Sequence, residues 1–152
     1  MSRRFLIGVM KTLLSVDDGE DDVFFMRKAV QQSGIDCMLE VANTGDQAME
    51  YLSGAGLYKD RYAYPLPEVI LLDIKMPGRD GFEVLGWIRK QSQLKTIPVV
   101  MLTNSEEPKD IERAYREGAN SYLLKPHDFE EFQKELPILM KYWLEMNNTV
   151  AS

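Results

Sequence analysis

An aspartate, Asp73, stands directly after the apolar run Val69–Leu72 and directly before a turn rich in proline and glycine. Four consecutive large apolar residues predict a strand that is buried on both faces. In open α/β sheets, ligands bind outside the carboxyl ends of the strands. Asp73 therefore lies where such a fold places its chemistry, and a carboxylate in that place is a candidate nucleophile for phosphoryl transfer.

Polar residues also follow three other predicted strands. Asp17 and Asp18 follow the first strand, Thr103 ends the fourth and Lys125 follows the fifth. Because parallel strands end at the same edge of a sheet, we expect these side chains to meet Asp73 there. The predicted edge then holds three carboxylates, one hydroxyl and one ammonium.

Three carboxylates at one edge need compensation for their charge. Two unit charges ~4 Å apart repel by ~4 kcal/mol at an effective dielectric constant of ~20. Either some of the carboxylates are protonated or a cation neutralises them, because one ammonium is too little for three anions. Oxygen ligands with room for water suit Mg²⁺. The pattern predicts a Mg²⁺ site that receives a phosphoryl group, whose remaining oxygens Lys125 and Thr103 would hold.

Strand and helix patterns alternate along the chain, so the order of elements predicts the fold class. Five segments have strand patterns: Thr12–Val16, Cys37–Ala42, Val69–Leu72, Ile97–Leu102 and Ser121–Leu124. Four residues are predicted to cap helices: Thr44, Asp80, Ser105 and Asp128. Strict alternation of five strands with five helices predicts an α/β fold, (βα)5, in which a doubly wound parallel sheet carries helices on both faces.

Length and composition limit the classes of function. A chain of 152 residues is typical of one domain, and a net charge of −6 disfavours direct binding to nucleic acid. No apolar run approaches the ~20 residues that a membrane span needs. The single cysteine, Cys37, fits a reducing compartment, and its apolar neighbours favour a small buried side chain over a nucleophile. The expected location is the cytoplasm.

The predicted boundaries are an N-terminal extension over residues 1–10, one folded domain over residues 11–147 and a C-terminal tail over residues 148–152. The long connection over residues 53–67 contains three tyrosines and is predicted to be a packed surface flap, with a partner-binding loop as the alternative. Pro137 is predicted to kink the last helix or to end it early. The apolar residues beyond it would cover the domain or pair with a second copy.

Four motifs at the ends of the right strands resemble those of the response regulator receiver domain of two-component signalling. They are the pair Asp17-Asp18, the run from Asp73 through Met76-Pro77 to Asp80-Gly81, Thr103, and Lys125-Pro126. The resemblance covers the chain from about Lys11 to the last helix. It implies a flavodoxin-like, CheY-like sandwich with strand order 2-1-3-4-5, and a chain that acts as a phosphoacceptor.

The resemblance also implies the roles of the site residues. Asp73 would accept the phosphoryl group. Asp18 and Asp73 would bind Mg²⁺ directly, Asp17 would bind it through water, and the backbone carbonyl of Lys75 would be a further ligand. Lys125 would bind a phosphoryl oxygen, and the peptide bond to Pro126 would be cis.

The switch of the family is carried by two further residues. The resemblance implies that Thr103 moves to bond the phosphoryl group and that Tyr122, three residues before Lys125, turns inward with it. Lys75 and Asn104 depart from the family's usual residues and flank the path of an attacking water, so we expect an unusual rate of phosphoryl hydrolysis.

The implied partner upstream is a histidine kinase or a phosphotransfer protein. The implied partner downstream is an unknown protein target, reached through the fourth helix, fifth strand and fifth helix, with a homodimer as a further expectation. The implied activity is limited to Mg²⁺-dependent phosphorylation and dephosphorylation of the chain itself. The tyrosine-containing connection and the long last helix also make the chain similar to phytochrome-associated single-domain regulators.

Two other classes of function compete with this interpretation. An adaptor that works without phosphorylation is disfavoured because every predicted site residue is retained. An enzyme is disfavoured because a dehalogenase-type phosphatase needs an acid where Lys75 stands. A flavodoxin-like flavoprotein is disfavoured as well, because Asp17 and Asp18 would repel its phosphate.

Overall fold

Five parallel strands form one sheet in the computed structural model, which describes residues 10–150. The strands are β1 (Lys11–Val16), β2 (Cys37–Ala42), β3 (Val69–Leu72), β4 (Val99–Thr103) and β5 (Ser121–Leu124). Their order is β2-β1-β3-β4-β5, and every pairing is parallel. The predicted fold class and strand order are confirmed.

Helices follow each strand, as the alternation predicts. They are α1 (Glu20–Gln32), α2 (Gly45–Ser53), α3 (Gly81–Lys90), α4 (Pro108–Arg116) and α5 (Phe129–Met140). A 3-10 helix (Gly56–Lys59) follows α2, and a π-helical segment (Lys141–Met146) follows α5. Among residues 10–150, no helix combines the length and the apolar character that a membrane span requires.

Three of the four predicted caps are confirmed. The side chains of Thr44, Asp80 and Asp128 each accept a hydrogen bond from the backbone N–H three residues later. The fourth cap prediction is wrong, because α4 begins at Pro108 with Glu107 at the N-cap. Proline is suited to the first helical position, since its fixed φ matches the helix and its missing N–H would have no partner there.

The sheet separates two apolar layers. One layer packs β1, β3 and β4 against α2 and α3, and the other packs the opposite face of the sheet against α1 and α5. All four residues of β3 are buried, as expected for a central strand covered on both faces. Strand β5 lies at one edge, and its Leu123 and Leu124 are exposed.

The last helix does not end at Pro137. Helix α5 continues through it to Met140, and the π-helical segment extends it to Met146. Met140 and Leu144 are buried against the domain, whereas Ile138, Tyr142 and Met146 are exposed, so only part of the apolar surface beyond Pro137 packs on this chain. The ammonium of Lys11 donates to the carbonyl of Leu144, which ties the start of β1 to the extension.

The connection over residues 53–67 is a packed flap. The guanidinium of Arg61 donates hydrogen bonds of 2.6–3.1 Å to three backbone carbonyls, those of Tyr51, Leu52 and Tyr64. The rings of Tyr51, Tyr58 and Tyr64 pack together with centroid distances of 5.0–6.3 Å. These contacts close the connection onto the end of α2.

The single cysteine lies at the start of β2 and is half-buried. Burial, with a smaller contribution from the charge of Asp36, raises the pKa of the Cys37 thiol to about 11. The thiolate is the reactive form of cysteine, so Cys37 is a poor nucleophile near neutral pH.

A close approach of two backbones fixes the position of the loop that follows Asp73. Gly81 begins α3, and its N–H donates to the carbonyl of Ile74 at 2.8 Å. A methyl group at position 81 would clash with the backbone carbonyl of Asp73 and would lie 2.8 Å from the Cα of Ile74. Only glycine allows α3 to pack this close to the end of β3.

Gly81→Ala is therefore expected to destabilise the protein by about 1–3 kcal/mol, the usual cost of overpacking. Gly86 is the matched control, because it lies in the same helix and a methyl group there meets no atom within 4 Å. Gly86→Ala is expected to stabilise the protein by about 0.5–1 kcal/mol. Urea unfolding measures both variants, and equal stability of the two would contradict the packing argument.

Candidate functional site

The carboxyl ends of four strands bring the predicted site residues to one edge of the sheet. The hydrogen-bond ladder runs past the strands themselves: Asp17 N–H donates to Ala42 O, and Asp73 N–H donates to Val16 O, both at 3.0 Å. The N–H of Lys125 donates to the carbonyl of Thr103 at 2.8 Å. Backbone pairing therefore fixes Asp17, Asp73, Thr103 and Lys125 before any side-chain contact is made.

The ammonium of Lys125 lies at the centre of the site. Its side chain is 4% exposed, and its Nζ contacts a carboxylate oxygen of Asp17 at 2.9 Å, of Asp22 at 2.8 Å and of Asp73 at 2.8 Å. Burial by itself lowers the pKa of the ammonium, but the hydrogen bonds to Asp22, Asp73 and Asp17 outweigh burial and hold the pKa above its ordinary value. Lys125 is therefore charged near neutral pH.

Asp17, Asp18 and Asp73 form a cluster of carboxylates in which one oxygen from each lies within 4.8 Å of the others. Asp17 and Asp73 are buried and Asp18 is exposed. Burial raises the pKa of the Asp17 carboxyl, although the N–H of Gly19 at 2.9 Å and the ammonium of Lys125 oppose this effect. The favourable contact with the Lys125 ammonium does not fully offset the cost of removing the charged Asp17 carboxylate from water.

This donor set fits a divalent cation. Its members are hard oxygen ligands, they converge from two loops, and the exposed Asp18 leaves one side open to water. Carboxylates with retained waters are the ligands that Mg²⁺ prefers, whereas softer metals favour sulfur and nitrogen. The three acids that the sequence assigns to a metal site are thus brought together by the fold.

Lys75 and Asn104 both lie on the outside of the site, with exposed side chains. The involvement of the Lys75 carbonyl in metal binding and the effect of Lys75 and Asn104 on hydrolysis stay predictions. The expectation of a cis bond before Pro126 is wrong, because residues 10–150 contain no cis peptide bond. The trans form is the lower-energy isomer of most X–Pro bonds.

Thr103 and Tyr122 are linked through Ser105. Thr103 is buried, and its Oγ1 accepts a hydrogen bond from the N–H of Ser105 at 3.4 Å. The Tyr122 hydroxyl donates to the carbonyl of Ser105 at 2.8 Å, and burial raises the pKa of that hydroxyl. The hydroxyl of Ser105 donates to Asp110 at 2.6 Å. These hydrogen bonds connect Thr103 to Tyr122 and to Asp110 of α4.

Two features of the site were not predicted. Asp22 is absent from the predicted site residues, yet its carboxylate contacts Lys125. Ser105 was assigned to a helix cap, yet it joins Thr103 to Tyr122. The signal for Asp22 was its place in the first turn of α1, because helical side chains lean toward the N-terminus, which here is the carboxyl end of β1.

Comparisons with known proteins relate this chain to one protein family. The family model for the response regulator receiver domain matches residues 13–137. The response regulator Rcp1 of Synechocystis sp. is 35% identical over 135 residues, which cover 89% of this chain and 90% of Rcp1.

Solved structures give the same result for the fold. The phosphorylated cyanobacterial phytochrome response regulator RcpA superposes with a TM-score of 0.86 at 29% identity, covering 94% of this chain and all of that one. The Mn²⁺-bound form of Rcp1 superposes with a TM-score of 0.83 at 34% identity, covering 93% of this chain and 99% of that one.

Proposed function

This chain belongs to the response regulator receiver family, and from that premise we propose that Asp73 is its phosphoacceptor. Taking up a phosphoryl group on an aspartate is the role of the family. The observation that carries the assignment is the contact of 2.8 Å between the Lys125 ammonium and Asp73, at the edge where Asp17 and Asp18 complete an acidic cluster. A buried carboxylate with a cation at one oxygen is oriented for attack by the other.

The proposed reaction transfers a phosphoryl group from a phosphohistidine of a histidine kinase or phosphotransfer protein. A carboxylate oxygen of Asp73 forms a bond to phosphorus, the phosphorus–nitrogen bond breaks, and its electron pair stays on the imidazole. Lys125 donates to a phosphoryl oxygen and so stabilises the charge that develops there. The hydroxyl of Thr103, at the end of the neighbouring strand, would donate a hydrogen bond to another phosphoryl oxygen.

We assign the cation of the site to Mg²⁺, held by Asp17, Asp18, Asp73 and the backbone carbonyl of Lys75. Receiver domains bind a divalent metal, and the Mn²⁺-bound structure of Rcp1 supports such a site in a relative. When bound, the cation would neutralise negative charge on the phosphoryl oxygens.

The proposed output is a change of protein-binding surface near α4, β5 and α5. Thr103 would be drawn toward the phosphoryl group, and the links through Ser105 would carry that movement to Tyr122. Exposed apolar side chains, Tyr115, Leu123 and Leu124, lie on these elements and suit a protein partner. A second copy of the chain is one such partner. We also propose a cytoplasmic location for the protein.

Incubation with acetyl phosphate and Mg²⁺, followed by intact mass measurement, tests the proposal. The wild-type protein is expected to gain the mass of one phosphoryl group, and a chelator is expected to prevent the gain. A protein that gains no mass with the metal present would instead be an adaptor that works without phosphorylation.

A further inference from the structure

We propose that Asp22 is a positioning residue that holds the Lys125 ammonium in place when a cation occupies the acidic cluster. The inference rests on the proposed function, in which Lys125 binds a phosphoryl oxygen. It assigns a role in phosphoryl transfer to a fourth carboxylate, one that does not belong to the cluster.

The geometry shows that the ammonium is fully engaged. An ammonium has three N–H donors and no acceptor. Three carboxylates, Asp17, Asp22 and Asp73, lie 2.8–2.9 Å from the Nζ of Lys125, one for each donor. Binding of a phosphoryl oxygen therefore requires Lys125 to release one of these three partners.

The three carboxylates that contact Lys125 differ in whether they can also bind a cation. Asp17 and Asp73 belong to the set of carboxylates close enough together to share a cation, and within residues 10–150 Asp18 is the only other member. A cation there would compete with Lys125 for their charge and would repel its ammonium. Asp22 lies outside that set, so its charge stays available to Lys125.

Asp22 is also held on a different element. It lies in the first turn of α1, whereas Lys125 follows β5, so the contact joins two parts of the fold that are 103 residues apart in the chain. Asp22 is 29% exposed and Lys125 is 4% exposed, so the ion pair is partly shielded from water. The flexible four-carbon side chain of Lys125 is thereby fixed at its charged end.

Asp73 and Asp22 therefore have different roles toward the Lys125 ammonium. When Asp73 becomes phosphorylated, Lys125 exchanges its bond to that carboxylate for one to a phosphoryl oxygen, and Asp22 keeps the Nζ near the same place. Small losses of positioning reduce rates strongly, because the stabilising charge must be in place when the transition state forms.

Asp22→Asn tests the role by removing the charge and keeping the shape. We expect phosphorylation by acetyl phosphate at saturating Mg²⁺ to slow by about tenfold, the effect of ~1.4 kcal/mol lost from the transition state. Asp21→Asn is the matched control. Asp21 is an exposed neighbour in the same turn, and its substitution removes the same charge. It is expected to leave the rate within about twofold, as for an exposed charge. Asp22→Glu is expected to recover most of the wild-type rate.

A second measurement does not depend on phosphorylation. In urea unfolding without metal, Asp22→Asn is expected to have a lower midpoint than the wild type, because the substitution removes an ion-pair partner of Lys125. In a Lys125→Met background the same substitution is expected to raise the midpoint, because it removes an anion that repels Asp17 and Asp73. Calorimetric titration of the Asp22→Asn variant is expected to give a Mg²⁺ affinity close to that of the wild type.

Each of three results would overturn the inference: equal rates for Asp22→Asn and Asp21→Asn, the same shift of the urea midpoint in both backgrounds, or a loss of Mg²⁺ affinity as large as the loss of rate. The last would make Asp22 a metal ligand. If the wild-type protein itself takes up no phosphoryl group, the proposed function fails, and the urea measurement still tests the contact between Asp22 and Lys125.

Discussion

Asp73→Asn is expected to abolish phosphorylation by acetyl phosphate while leaving the fold intact. An asparagine has the size of aspartate and can still accept a hydrogen bond from Lys125, but its amide oxygen does not serve as the nucleophile. Asp73 is buried directly after β3, and its backbone N–H is held by the carbonyl of Val16, so the substitution leaves the position of this residue unchanged. Intact mass measurement with Mg²⁺ present is expected to show no phosphorylated species.

Asp80→Asn is the matched control for this result. Asp80 lies in the same turn after β3, but its side chain caps α3 by accepting the N–H of Glu83 at 2.9 Å. Asparagine is an equally good N-cap, so the variant is expected to fold and to be phosphorylated as the wild type is. Mass gain in Asp73→Asn equal to that in Asp80→Asn would rule out Asp73 as the acceptor.

Lys125→Met is expected to destabilise the protein by about 3–5 kcal/mol in the absence of a divalent cation, the usual cost of leaving buried charge unpaired. The side chains of Asp17 and Asp73 are 7% and 8% exposed, so water cannot replace the ammonium that both contact. Burial already raises the pKa of the Asp17 carboxyl, and without the ammonium that opposes burial this pKa would rise further in the folded state. The stability that protonation of Asp17 restores would then be lost as the pH increases through the raised pKa.

Urea unfolding at mildly acidic and mildly alkaline pH measures this effect, and the loss is expected to be larger at the higher pH. Mg²⁺ is expected to restore part of the lost stability, because it binds the folded state. Lys75→Met is the control, since Lys75 is exposed near the same edge and its loss is expected to change stability by no more than about 0.5 kcal/mol. Equal stability of Lys125→Met and Lys75→Met would contradict the buried charge network.

The effects of these substitutions could be anticipated in part because the strand ends are visible in the sequence. The run Val69–Leu72 has a continuous apolar pattern that is typical of a strand covered on both faces, and Asp73 follows it directly. Once five strands are placed in parallel, their carboxyl ends must share one edge. The fold class and the meeting of Asp17, Asp18, Asp73 and Lys125 follow from that constraint.

Local signals were less reliable where two of them competed. Ser105 has the side chain of a helix cap, but Pro108 is better suited to the first helical position, and α4 begins there. Pro137 is a helix breaker by its chemistry, yet α5 continues past it. The buried side chains of Met140 and Leu144 show that packing on the domain outweighs the local cost of the proline.

The sequence by itself determined the order of the elements, the edge at which chemistry is placed and the types of residue that meet there, because each depends on local pattern and on the direction of parallel strands. The tertiary structure decided which acids contact Lys125. Asp22 and Lys125 come from α1 and the end of β5, and the direction of a side chain across such a gap depends on how the helix packs on the sheet. The roles of Ser105 and Arg61 were decided in the same way. The carbonyl of Ser105 accepts from the Tyr122 hydroxyl, and the guanidinium of Arg61 donates to the carbonyl of Tyr51, so each contact uses a backbone carbonyl that no pattern of side chains reveals.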